Sequence, residues 1–134
     1  MITENQKKPQ PPEKPVHSLY KALGFALEGI GYTIRTQKNM RIHLVIAVCV
    51  ISACSFLRLL PLEWALILIC IGLVILAELL NTAIEAIIDL VSPQYHLLAK
   101  TAKDIGAGMV LIVAFLAVIV GCIVFVTALL RLFG

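Results

Sequence analysis

Charge is what this sequence has least of. Only 14% of its 134 residues are Asp, Glu, Lys or Arg, while 60% are hydrophobic and the mean hydropathy is +0.99; soluble domains hold roughly 45–50% apolar residues. That scarcity excludes a soluble globular domain and identifies an integral membrane protein. A chain this short can form one domain of a few spanning helices, too small to enclose a large site within one subunit, so oligomerisation is expected. No G-x-x-x-x-G-K-[ST] stretch occurs, so any nucleotide site must be built without a P-loop. Cys49, Cys54, Cys70 and Cys122 lie inside apolar runs with no C-x-x-C pair, and read as small buried residues rather than disulfides or metal ligands. His17, His43 and His96 are dispersed, which argues against a zinc cluster. No apolar h-region follows the first charges, so no cleavable leader is expected and the N-terminus should stay in the cytoplasm. No nucleic-acid partner is expected.

What is present is ordered by hydropathy. Residues 1–17 open with MITENQKKPQPPEKPV, polar and rich in Pro and Lys, and read as a disordered cytoplasmic tail. Apolar runs at about 42–60, 64–88 and 105–130 are each long enough to cross a hydrocarbon core of roughly 30 Å at about 1.5 Å per residue, predicting three transmembrane helices. Lys7, Lys8, Lys14, Lys21, Arg35, Lys38 and Arg41 precede the first span and Lys100 and Lys103 lie between the second and third, whereas the opposite side receives Arg58 and Arg131. This bias places the N-terminal region and the loop at about 90–104 in the cytoplasm, with the C-terminus outside. Between tail and first span, SLYKALGFALEGIGYTIR sets Leu19, Leu23, Ala26, Leu27, Ile30 and Ile34 at helical spacing, with Lys21, Glu28 and Arg35 on another face. An amphipathic helix in the interface plane is predicted over about 18–37. Gly24, Gly29 and Gly31 lower its intrinsic propensity, so contacts with bilayer or subunit must stabilise it. Pro61 marks the turn between the first two spans and SPQYH, residues 92–96, marks the cytoplasmic turn. The GAG at 106–108 opens a helix; a lone G-x-G of this kind more often serves close helix packing than phosphate binding.

Against this background AELLNTAIEAIIDL, residues 77–90, is anomalous: it carries Glu78, Asn81, Glu85 and Asp89 within an apolar run. At about 100° per residue, Glu85 and Asp89 lie about 20° to either side of Glu78 and Asn81 about 60° away, so all four share one stripe. Glu78 is about 16 Å along the helix from Asp89, within the cytoplasmic half of the membrane. An ionised carboxylate there costs several kcal/mol unless it meets water, a cation or a partner, which makes it a functional candidate. Acids that are protonated or paired with Lys to fix subunit packing are one alternative, and an ion or proton pathway is another. The AKTAKDIG segment brings Lys100, Lys103 and Asp104 to the cytoplasmic mouth of the same groove. Carboxylates able to hold Mg²⁺ beside a lysine able to neutralise phosphate are the parts that phosphoryl transfer requires.

AELLNTAIEAIID, SPQYHLLAKTAKDIGAGMVLI and, opening the first span, KNMRIHL resemble the small prokaryotic diacylglycerol kinase and undecaprenol kinase family, from about residue 18 to the end. E-x-x-N-[ST]-A-I-E followed by A-K-D at this spacing is a specific combination. The resemblance implies an all-α membrane protein of three transmembrane helices plus an N-terminal amphipathic surface helix. It further implies a homotrimer in the bacterial cytoplasmic membrane, with active sites shared between subunits. The implied reaction moves the ATP γ-phosphate to a lipid hydroxyl with Mg²⁺. Glu78 matches the family's catalytic acid, the expected general base toward the lipid hydroxyl. Asn81 would help to orient that site and Ala107 falls where the family touches lipid substrate. Glu85 matches a metal-binding acid. Gln94, Tyr95, His96, Lys103 and Asp104 match the nucleotide-contacting segment. Asp89 matches a commonly acidic position, with capping or pairing at the membrane surface as open as catalysis.

Two departures stand out. Gln37 occupies the position of the family's other metal-binding Glu, so one metal ligand loses its charge. Phe25 and Leu27 stand where some diacylglycerol kinases carry Tyr and Trp, implying a different lipid pocket; Phe25 is also placed beside the nucleotide. The wording of KNMRIHL and HLLAKTAKD reads closer to the undecaprenol branch, so undecaprenol is the first expected acceptor and diacylglycerol the second. A catalytically silent membrane protein or ion pathway is the alternative of another class, excluded by phosphate transfer from ATP to extracted lipid.

Overall fold

The computed structural model describes residues 19–133; the tail expected at 1–17 lies outside the described residues. Four helices follow one another: α1 (Leu19–Thr36), α2 (Lys38–Phe56), α3 (Pro61–Val91) and α4 (Leu97–Phe133). The last three are long and apolar enough to cross a membrane. This is the all-α, multi-pass architecture the hydropathy predicts. At about 1.5 Å per residue α3 runs about 46 Å and α4 about 55 Å, well beyond a hydrocarbon core of roughly 30 Å. Their ends therefore reach the polar layers.

Each boundary has a local cause. α1 and α2 are separated by Gln37 alone, whose φ of −98° and ψ of 118° are extended. α2 ends four residues before the expected limit of the first span at about 60, because the chain turns into a Schellman motif. Arg58 takes a left-handed φ of 52°. Its N–H donates to Ser55 O and that of Leu59 to Cys54 O, both at 3.4 Å. A non-glycine residue in that conformation costs on the order of 1 kcal/mol. The burial of Leu59 and Cys54 in one cluster offsets this cost. Pro61 opens α3 at a position where its fixed φ suits a helix and its missing N–H is no loss. Glu63 reaches back to accept the Leu60 N–H at 2.7 Å. Pro93, just beyond the cap residue Ser92, prevents continuation of α3. α4 begins at Leu97, where the His96 ring Nδ1 accepts the Leu98 N–H at 3.2 Å. It thus starts eight residues before the limit expected from hydropathy.

α3 and α4 pack most extensively, and α2 and α1 lie against α3. At the end of the bundle near the α2–α3 turn, Cys54, Leu59, Ile67, Val124 and Ala128 form a small core, flanked by Trp64 and Phe125. Arg131 closes this end with a two-pronged ion pair to Glu63, both N–O distances being 2.9 Å. The four cysteines are free, as expected, though Cys49 and Cys122 are exposed rather than buried. Much of the remaining apolar surface, such as Val45, Leu73, Leu111 and Phe115, stays uncovered by the chain itself. That is the surface left for lipid tails or further subunits.

At the other end α4 approaches α3 through Gly106. A Cβ at Gly106 would collide with Asn81 Oδ1 and sit 3.5 Å from Asn81 Cγ, whereas one at Gly108 meets nothing within 4 Å. Close packing is thus the role of the first glycine of GAG. In a helix interior, Gly→Ala contributes roughly 0.5–1 kcal/mol of stability by itself. Overpacking a tight contact costs about 1–3 kcal/mol, so the collision should win. Gly106→Ala is expected to lower the thermal unfolding midpoint in detergent, and Gly108→Ala to leave it unchanged or raise it. Equal midpoints for both would show that α4 does not seat on Asn81.

Candidate active site

The polar stripe on α3 is where the bundle departs from a lipid-soluble core. Buried residues on this helix recur as Ile67, Val74, Ala77, Glu78, Asn81 and Thr82, one continuous face. The turn from Glu78 onward is therefore buried for the same reason as the apolar turns before it: α2 and α4 cover that side. Glu78 is 1% exposed. Its Oε1 has no hydrogen-bond partner among the described residues. The nearest charged or titratable group is His43 on α2, with Nε2 3.5 Å from Oε1. Thr82 donates its hydroxyl to the Glu78 carbonyl at 2.8 Å, within the helix.

Two turns along α3, the Glu85 carboxylate is held by amides. Asn81 Nδ2 donates to Glu85 Oε1 at 3.0 Å and Gln37 Nε2 donates to Glu85 Oε2 at 2.9 Å. Gln37 can do this because it is the joint between α1 and α2, with its side chain turned toward α3. Asn81 Oδ1 is buried and unpartnered against Gly106. Among the described residues, neither Glu78 nor Glu85 pairs with Lys or Arg.

Asp89, another turn further along α3, is treated differently: it pairs with Lys103 of α4 at 2.5 Å. Lys100 pairs with Asp104, also at 2.5 Å and one turn apart. The AKTAKD segment therefore presents two ion pairs at the polar end of the α3–α4 pair. Gln94, Tyr95 and His96 are exposed in the turn between these helices. His96 has a structural task there as the cap of α4, with Nδ1 already accepting a backbone N–H. Ala107 is exposed, on the residue following the glycine that packs on Asn81. Phe25 lies exposed on α1. The structure thus brings Gln37, Glu85, Asn81 and Gly106 into one contact network, with Glu78 and His43 one layer deeper. The Lys103 pair lies one layer nearer the surface.

Below Glu78 the helices leave a groove of about 390 Å³, walled by Ile46, Val50, Ile71, Val74, Ala117 and Phe125 among other apolar side chains of α2, α3 and α4. His43 is its polar wall residue; Glu78 does not line it. Composition could not show that His43, set aside as one of three scattered histidines, stands against Glu78.

Among the described residues no three His, Cys, Asp or Glu side chains come together as a metal cage. A Mg²⁺ ion does not need one: it binds through one or two carboxylates together with water and substrate phosphates. Glu85 supplies one half-buried carboxylate, and rotating the Gln37 amide about its terminal bond exchanges Nε2 for a hard oxygen donor beside it. Those residues fit a divalent cation that arrives with phosphate.

A bundle of apolar helices with carboxylates and amides at one end defines a multi-pass membrane protein with a polar site reached from the interface. Residues 24–125 match the family described as prokaryotic diacylglycerol kinase, and the chain belongs to that family. A diacylglycerol kinase of Synechocystis is 48% identical over 98 residues, 72% of this chain, which spans only 56% of that relative's length. An undecaprenol kinase of Bacillus subtilis is 40% identical over 111 residues, covering 82% of this chain and 89% of the relative. A diacylglycerol kinase of Escherichia coli is 33% identical over 105 residues, 78% of this chain and 86% of the relative.

Gln37 yields a test. A carboxylate in its place would face Glu85 across a contact of 2.9 Å, a repulsive pair until a cation bridges it. Gln37→Glu is expected to remain active, to lower the Mg²⁺ concentration for half-maximal rate, and to show a larger gain in thermal stability on adding Mg²⁺ than the parent chain. Glu28→Gln, on the exposed side of α1, should shift neither. A shift from Glu28→Gln together with none from Gln37→Glu would move the metal site away from Glu85.

Proposed function

We propose that this chain is a membrane lipid kinase that moves the γ-phosphate of ATP to the hydroxyl of a membrane lipid, with Mg²⁺ at Glu85 and Gln37. The observation that supports it most is Glu78, a fully covered carboxylate between an apolar groove and a carboxylate–amide cluster. In the reaction Glu78 accepts the proton of the lipid hydroxyl while its oxygen bonds to the γ-phosphorus and the bond to the ADP oxygen breaks. A base of this kind contributes typically 10²–10⁴-fold. Asn81 holds Glu85 and the α4 backbone in register. A bound Mg²⁺ supplies charge neutralisation for the phosphates. Lys103 and Asp104, with Gln94, Tyr95, His96 and Phe25, form the nucleotide surface, and Ala107 faces the lipid. When nucleotide binds, Lys103 exchanges Asp89 for phosphate.

The uncovered apolar faces support a homotrimer in which neighbouring copies complete the site. The Lys and Arg distribution supports a cytoplasmic N-terminus in the bacterial inner membrane. Undecaprenol is the favoured acceptor, since the Bacillus subtilis undecaprenol kinase matches this chain over most of both lengths. Diacylglycerol is the second reading, carried by the 48% identity to the Synechocystis diacylglycerol kinase.

The test is labelled ATP with purified protein and each lipid side by side, in the parent and in Glu78→Gln. Label should appear in lipid, with more in undecaprenol than in diacylglycerol, and Glu78→Gln should lose roughly 10²-fold or more in turnover while still binding ATP. Near-normal turnover would remove Glu78 from the base role, and label in neither lipid would remove the kinase reading. Lys103→Met should raise the KM for ATP or depress kcat without inverting the protein, because the remaining Lys and Arg still favour the same topology. Activity lost only together with orientation would make Lys103 a topology determinant.

A further inference from the structure

His43 stands at the boundary between the apolar groove and the Glu78 carboxylate. It is a wall residue of the apolar groove and also the ionisable neighbour of Glu78, its Nε2 lying 3.5 Å from an Oε1 that has no other polar partner. A buried carboxylate oxygen without a donor is costly, and small side-chain adjustments bring an N–H at 3.5 Å into hydrogen-bond range. Neutral imidazole has one N–H and one bare nitrogen, so the other ring nitrogen decides what Nε2 offers. With the proton on Nε2, the ring donates to Glu78 and orients the carboxylate as a base.

The neighbourhood makes this contact the dominant one. On α3 the facing titratable groups are Glu78 itself and Cys70, and α4 contributes Cys122 across the groove. Glu85 lies two turns away, engaged by Gln37 and Asn81. α1 contributes the buried Thr33, whose hydroxyl donates to Gly29 O within its own helix. On α2, Lys38 and Arg41 are exposed. The side chain of His43 is 21% exposed against 1% for Glu78, so the imidazole is the part of the pair that a molecule in the groove meets first.

Resting on the assignment of Glu78 as base, we infer that His43 is its positioning residue, holding the carboxylate toward the lipid hydroxyl through a hydrogen bond from Nε2. Gln at this position keeps a donor at comparable reach, whereas Leu keeps bulk and removes the donor.

Four variants separate the possibilities: His43→Leu, His43→Gln, Glu78→Gln and the double variant His43→Leu/Glu78→Gln. His43→Leu should lower kcat on the lipid acceptor roughly tenfold or more, a share of the 10²–10⁴-fold typical of a positioned base, with the KM for ATP unchanged. His43→Gln should recover most of that loss. In the Glu78→Gln background His43→Leu should cost nothing further, because there is no base left to orient. A merely structural role for His43 would not give this split between kcat and the KM for ATP together with rescue by Gln. An additive loss in the double variant or failure of Gln to rescue would each overturn the positioning role. Normal turnover of Glu78→Gln itself would instead overturn the assignment of the base, so the two failures are distinguishable.

Discussion

The fold is organised around a carboxylate in a place where carboxylates are expensive. Glu78 sits in the middle of an apolar helix, and taking its charge out of water costs several kcal/mol unless neighbours respond. The response draws in every helix. α2 brings His43 to Oε1, α4 thins to Gly106 so that Asn81 fits beneath it, and α1 ends where Gln37 can reach Glu85. The same face of α3 is apolar farther along, where Ile67 joins Cys54, Leu59 and Val124 in a dry core. One helix face therefore serves as core at one end and as site at the other.

The stripe of acids and the number of long apolar segments were legible because both follow from a single helix with a fixed period. Partners on other helices were not. Nothing in the spacing of KNMRIHL says that its histidine meets Glu78, since that depends on the rotation of α2 about its axis. Gln37 was noticed for the charge it lacks, yet that its amide points to Glu85 rather than away is set by a one-residue joint that composition does not reveal. Spacing leaves Asp89 open between pairing at the membrane surface and catalysis, because the ion pair it makes with Lys103 needs the α3–α4 turn to be folded before it exists. Helix ends also departed from hydropathy. Leu57, Leu59 and Leu60 extend the first apolar run, but the left-handed Arg58 ends the helix and sends Leu59 into the core.

The two ends of the bundle handle charge by different means. Glu63 and Arg131 satisfy each other in a fixed fork-to-fork geometry, and Glu63 also ties down the first N–H of the turn. At the opposite end Glu85 is satisfied by neutral amides and Asp89 by one lysine, while Glu78 Oε1 has no hydrogen-bond donor among the described residues and faces an imidazole at 3.5 Å. Amides and single-point contacts are more easily exchanged than a bidentate guanidinium pair. A fixed ion pair at the first end thus contrasts with replaceable partners at the second.

The joint at Gln37 makes its backbone a lever as well as a link. No other residue separates α1 from α2, so the angle between the two helices is set by the torsions of the residue whose side chain touches Glu85. A change in that angle turns the Gln37 backbone, and its amide swings relative to the carboxylate. The relative orientation of two helices is in this way connected, through one side chain, to the electrostatics around Glu85.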